Sequence, residues 1–328
     1  MVRALLALLS VVILAVALTA ALAVPAFAAP KRAAAKKKPV VTETVSGATS
    51  SVSSPSASTV IEVAGKSRTS WKDRVSFGFY NEMNGASEGS RGPDFTAYNY
   101  GMIDYSFPEA RFVSVRPAFS FLSSDNQAPK GRNQKPTSTG PQVRLEDFII
   151  SAGDVELATL GSVKMAGELR VYAPTSEISQ EQGMIARLAP KLVATTPLSR
   201  KLELAAIVEP EYAFHSQTGY VTDEKRVRGN RELGYWNQLE LRYRHNRFFG
   251  AALAAGHEQF WHREVPLYRV AAERTEHVTL ETGLTFNAGP VFAVAGVSQR
   301  HDVARPKRAL ALFDSRETEL FIRNIWKF

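Results

Sequence analysis

Glu319-Leu-Phe-Ile-Arg-Asn-Ile-Trp-Lys-Phe328 alternates large apolar and polar or charged residues and ends on a phenylalanine. A soluble domain usually finishes in a polar, frayed terminus. This stretch instead has the period of two that puts one set of side chains on each face of a strand. Leu320, Ile322, Trp326 and Phe328 share one face, and Glu319, Arg323 and Lys327 share the other. We read it as a two-faced strand with a structural role up to its final residue.

The same period recurs along the chain. Val75, Phe77 and Phe79 alternate with smaller or polar neighbours. Met165, Leu169 and Val171 alternate with Lys164, Glu168 and Arg170. Leu239, Leu241 and Tyr243 alternate with Gln238, Glu240 and Arg242, and Val278, Leu280, Leu284 and Phe286 with His277, Thr279 and Glu281. No stretch after Trp71 sustains a helical period. About twelve strands follow from this pattern, centred near residues 78, 101, 116, 148, 168, 190, 207, 240, 254, 281, 295 and 322.

The connections between them alternate in length. Those at 107–110, 197–200, 245–247 and 288–290 are short. Those at 84–94, 123–143, 173–183, 215–233, 263–275 and 301–315 are long and polar. Only the connection at 152–162 is intermediate where a short one is expected. Short turns at one end and long loops at the other, over an even number of strands, are the rhythm of a transmembrane barrel. Strands of about 10–12 residues also suit a bilayer crossed at a tilt. The expected fold is all-β: a single antiparallel up-and-down barrel over residues 71–328.

What precedes the barrel has a different character. Met1-Val-Arg3, an apolar run from Ala4 to Val24, Pro25 and then Ala26-Phe-Ala28 form a secretory signal peptide over residues 1–28, cut after Ala28. Residues 29–70 are Ala/Lys-rich and then Ser/Thr-rich, too poor in large apolar groups to offset the entropy of ordering. They read as a disordered periplasmic linker, first of all a plain spacer, with a basic tail that threads an acid-lined lumen as the alternative. The formal net charge of +8 is concentrated there. Arg3, Lys31, Arg32, Lys36, Lys37 and Lys38 against Glu43 leave the remaining chain about +3, too weakly basic for a nucleic-acid footprint. The chain has no cysteine, so neither disulfides nor thiolate metal sites arise.

At this point the chain resembles a Gram-negative outer-membrane β-barrel protein, on its signal peptide, its strand rhythm and its terminal Trp326 and Phe328. The resemblance implies residence in outer-membrane lipid and recognition of the terminal strand by the barrel-assembly machinery. The family favours a glycine five residues before the end and a polar residue two before that; here Arg323 and Phe321 stand there.

Chemistry-bearing motifs are few. His257-Glu-Gln-Phe-Trp-His262 is one residue longer than the H-E-x-x-H zinc motif, which in any case needs a helix. His215 and Ser216 are adjacent, whereas outer-membrane phospholipases separate their His and Ser by one residue, and adjacent strand residues face opposite ways. No catalytic, cofactor or metal site is expected. The expected working surface is a charged interior, carried by Arg170, Arg187, Lys191, Glu203, Glu209, Glu240, Arg242, Glu281 and Arg323, with Glu203, Glu209 and Glu211 close enough in sequence register to pair with Arg187, Lys191, Arg242 and Arg244. Two readings stand: a narrow passive channel for small solutes, or a closed structural barrel that displays its long loops at 123–143 and 215–233. An outer-membrane lipid hydrolase is a distant third.

Overall fold

The computed structural model describes residues 74–86, 95–123, 125–126, 138–139, 142–221, 227–303 and 318–328. The expected signal peptide, the linker and the tips of several long loops lie outside them.

Among the described residues twelve strands form one closed antiparallel barrel. They are β1 (Val75–Ala86), β2 (Phe95–Ser106), β3 (Arg111–Arg116 continued by Ala118–Leu122), β4 (Gln142–Leu145 continued by Phe148–Leu160), β5 (Val163–Ala173) and β6 (Met184–Pro197). Then come β7 (Leu202–His215), β8 (Arg231–Arg244), β9 (Phe249–His262), β10 (Glu273–Ala288), β11 (Val291–Asp302) and β12 (Thr318–Lys327). Each strand pairs with its neighbour in sequence, and β12 pairs with β1 from Glu319↔Ala86 to Lys327↔Gly78. All twelve strand centres expected from the period fall inside these strands. Closure leaves no edge with unpaired backbone groups, which a strand in hydrocarbon could not tolerate.

Two strands are interrupted without loss of pairing. Proline lacks an N–H and breaks a ladder. At Pro117 its carbonyl still accepts the Gly101 N–H at 3.0 Å, so β3 stays in the sheet. The break at Glu146-Asp147 in β4 is bridged by the Glu146 N–H donating to the Ala118 carbonyl at 3.0 Å.

The connection at 152–162 is corrected by the structure. Strand β4 runs on to Leu160 through an irregularity between Asp154 and Ala158, and a tight turn at Gly161-Ser162 leads into β5. The acidic and small residues there mask a bulged strand. Gly161 and Gly289 carry the positive φ that these turns demand. Elsewhere side chains shape the short turns: Asn246 Oδ1 accepts the N–H groups of Phe248 and Phe249, and Ser199 Oγ accepts those of Lys201 and Leu202.

The long connections at the other end are tied together where they are described. A short helix α1 (Glu177–Glu181) is capped by Ser176 and anchored by Asp147, which accepts from Ser176 Oγ at 2.8 Å and Ser179 Oγ at 2.7 Å. Buried Asn230 donates to the carbonyls of Gln182 and Gln217, joining the β5–β6 connection to the β7–β8 connection.

The two faces of the wall differ as the alternation requires. Phe77, Ile103, Ile150, Leu169, Leu192, Leu253, Leu284, Leu320 and Ile322 are exposed on the outer face. The intervening residues point inward, and many are charged and buried. A soluble barrel would show the reverse; an apolar belt around a polar interior is the membrane arrangement.

Candidate functional site: the charged barrel interior

The nine expected interior residues all stand on inward-facing strand positions. What brings them together is the register between strands, and the result is a set of ion-pair networks.

The first network spans β3, β5, β6 and β7. Glu168 is held between two guanidinium groups, Arg116 Nη2 at 2.6 Å and Arg170 Nη2 at 2.7 Å. Arg170 also reaches Glu209 Oε2 at 3.4 Å, and Lys191 Nζ lies 3.6 Å from the same oxygen. Buried Asp104 on β2 is a further charge neighbour of Arg116. Lys191 further sits 5.6 Å from the Trp236 ring centroid, a cation–π distance.

The second network closes the barrel. Arg323 on β12 donates from Nε to Glu82 on β1 at 3.1 Å and grips Glu281 on β10 with two bonds of 2.9 Å. The Tyr80 hydroxyl donates to the other Glu82 oxygen at 2.7 Å. Here two carboxylates share one guanidinium. The two networks lie on different sides of the barrel.

Smaller sets complete the lining. Near the short-turn end, Arg242 bonds Glu203 at 3.0 Å and Glu240 at 2.8 Å. Toward the long-loop end, Glu211 is paired with both Arg187 and Arg231. Arg187 stacks over Tyr172 at 3.9 Å, and Arg231 over Phe260 at 3.5 Å. Arg300 on β11 bonds Glu258 on β9 at 2.8 Å. Planar guanidinium groups make such forked and stacked contacts better than lysine does.

Sequence reasoning missed several members. Glu82, Glu258 and Arg300 follow the same parity as their neighbours and were legible from it. The inward aromatic residues Tyr80, Tyr100, Tyr172, Trp236 and Phe260 were not, because an aromatic side chain on a barrel strand suits either face. Lys164 and Arg244, expected among the interior charges, are exposed at the short-turn rim.

The interior is dense. Arg116, Arg170 and Arg323 are each 2% exposed, as is Glu240. It is also incompletely satisfied by protein alone. Asp104 Oδ1, Ser151 Oγ, Lys191 Nζ, Gln238 Nε2 and Thr279 Oγ1 are buried with no protein hydrogen-bond partner.

Three histidines have local partners. His215 contacts the carbonyls of Gln182 and Arg231, while Ser216 Oγ donates to the Gly183 carbonyl at 3.1 Å, so the two do not pair. His257 contacts Glu276 at 3.1 Å and His262 the Gly229 carbonyl at 3.3 Å, from opposite faces of β9.

No family model matches the sequence, and no curated protein matches it. Solved structures do match. An outer membrane channel of Pseudomonas putida F1 superposes with a TM-score of 0.50 at 12% identity, over 77% of this chain and 95% of that one. The NanC porin aligns over 76% of this chain and 98% of its own, with a TM-score of 0.42 at 5% identity. LpxR from Salmonella typhimurium aligns over 76% and 99%, with a TM-score of 0.39 at 10% identity. Together with the closed twelve-strand meander, the first of these gives the chain the fold of an outer-membrane β-barrel protein.

Proposed function

We propose that the protein is a passive channel of the bacterial outer membrane, with a narrow charged constriction that passes water and small solutes. The observation that carries this reading is the set of buried interior polar atoms without a protein hydrogen-bond partner. Buried polar groups are rarely left unpaired, and a site lined by several of them calls for water. In this reading water hydrates Lys191, Gln238 and Thr279, and the permeation path runs past them. On the same reading, opposite charges on different walls set a transverse field across it, which orients charged or dipolar solutes as they pass. In this reading the long connections face outward, the short turns face the periplasm, and the basic linker enters from the periplasmic side. His215, His257 and His262 are spent on backbone and carboxylate partners, and the proposal assigns no catalysis. Outer-membrane lipid and the assembly machinery are the partners it carries.

A closed structural barrel is the second reading, favoured by the near-complete burial of Arg116, Arg170, Arg323 and Glu240 at the constriction. Single-channel recording of refolded protein in planar bilayers over a salt series separates the two. Discrete conductance steps that scale with salt support the channel. A silent bilayer, with heat-modifiable gel migration proving that the barrel has folded, sinks it and leaves the displayed loops as the working surface.

A further inference from the structure

Three of the interior glutamates fall on one pairing row. The row runs Glu240↔Ala254 from β8 to β9, Ala254↔Glu281 to β10, Glu281↔Ser298 to β11 and Ser298↔Glu319 to β12. Ala205 on β7 and Ala86 on β1 flank it at either end. Every second strand therefore contributes a carboxylate, and only short side chains stand between them. Neighbouring strands lie about 4.8 Å apart, so successive glutamates leave the wall about 10 Å apart.

The row is not level, because barrel strands are tilted. Glu240 lies four residues from Arg244 at the short-turn end of β8, Glu281 seven from Ala288 on β10, and Glu319 eight from Lys327 on β12. The carboxylates form a stepped line that climbs from the short-turn end toward the long-loop end.

Their charge is only partly offset. Glu240 shares Arg242 with Glu203, and Glu281 shares Arg323 with Glu82. Glu319 stands in no ion pair among the described residues, and its charge neighbour Arg300 is held by Glu258. Glu281 has Glu82 and Glu240 as charge neighbours, and Glu319 has Glu82 and Glu281. On the other half of the wall, Arg116, Arg170 and Lys191 are engaged with Glu168, Glu209 and the charge neighbour Asp104.

A second feature marks the same line. Gln238 and Thr279 stand one inward position beyond Glu240 and Glu281, on the long-loop side. They are 5% and 4% exposed, and Gln238 Nε2 and Thr279 Oγ1 have no protein hydrogen-bond partner. A hydroxyl oxygen beside a carboxylate is the donor set of a hard cation or of the water that hydrates one.

We propose that Glu240, Glu281 and Glu319 form a cation track, and that the solutes this channel favours are small cations. The inference rests on the channel reading above and names its substrate class. Carboxylates along a narrow, low-dielectric lumen raise the local concentration of cations and exclude anions. A stepped line offers a cation successive sites along its path, and Glu319 is the outermost of them.

The test places full-length protein, refolded into planar bilayers, under a potassium chloride gradient. Heat-modifiable gel migration shows that each variant has folded. The wild type is expected to give a reversal potential of cation-selective sign. Glu319→Gln, which breaks no ion pair, is expected to move it toward zero, and Glu319→Lys to move it further the same way. Glu109→Gln, at an exposed acid of the short-turn rim, is expected to leave it unchanged. An open channel without cation preference overturns this inference and leaves the channel reading standing. So does a reversal potential that Glu319→Gln does not move, or that Glu109→Gln moves as far. A silent bilayer with folded barrels overturns the channel reading and this inference with it.

Discussion

Arg323 Nε lies 3.1 Å from Glu82 Oε1, an ion pair between residues 241 positions apart that exists only once the barrel has closed. Both side chains are buried, and the same guanidinium holds Glu281 with two further bonds. Where related terminal strands favour glycine, this one carries the residue that locks the first strand to the last from inside.

Removing that lock leaves two buried carboxylates without their cation. Breaking a buried pair by deleting one partner costs about 3–5 kcal/mol. Arg323→Ala is expected to lower the guanidinium midpoint of barrel unfolding in detergent by that order. Adding Glu82→Gln and Glu281→Gln recovers part of the loss. An unchanged midpoint in the single variant would show that closure rests on backbone pairing alone.

Removing lining charges of opposite sign is expected to change selectivity in opposite directions. Lys191→Ala removes a cation from the cluster around Glu168 and Glu209, and the reversal potential under a salt gradient is expected to shift toward cation preference. Glu281→Gln removes an anion beside Arg323 and is expected to shift it toward anion preference. Shifts of the same sign in both variants would reject the transverse-field account.

Gly153 is a packing requirement. A Cβ there would stand 2.5 Å from the Gly167 carbonyl oxygen and 2.7 Å from the Phe112 ring. The ring lies over the glycine on the inner wall, and overpacking of this kind costs about 1–3 kcal/mol. Gly153→Ala is expected to lower the unfolding midpoint accordingly, and Phe112→Leu in the same chain to restore part of it. No recovery in the double variant would mean that the carbonyl clash dominates.

The terminal phenylalanine exchanges backbone hydrogen bonds with Phe77, donating at 2.8 Å and accepting at 3.5 Å. Deleting Phe328 removes both from the seam. Folding into pure lipid vesicles is expected to slow modestly, whereas assembly in cells, where the resemblance implies recognition of this residue, is expected to fall further. Equal losses in the two settings would confine its role to the seam.

Some of this interior was readable early. A period of two fixes which residues share a face, so the sequence alone assigns Arg170, Lys191, Glu209, Glu240 and Arg323 to one interior. The bulge in β4 was not readable, because an irregularity hides the period that marks a strand. Nor were the inward tyrosines, since the pattern records polarity and an aromatic ring with a hydroxyl satisfies either side.

The sequence by itself determined the strand number, the alternation of short and long connections, and the division of charge from apolar surface, because each depends on local spacing along the chain. The tertiary structure alone decided which acid meets which base. That depends on register between strands: Arg323 finds Glu82 because β12 pairs with β1, and Glu281 because β12 and β10 both pair with β11. It also decided that Glu240, Glu281 and Glu319 fall on one row. The period turns each of them inward, and only the register of β8 through β12 sets the three in line.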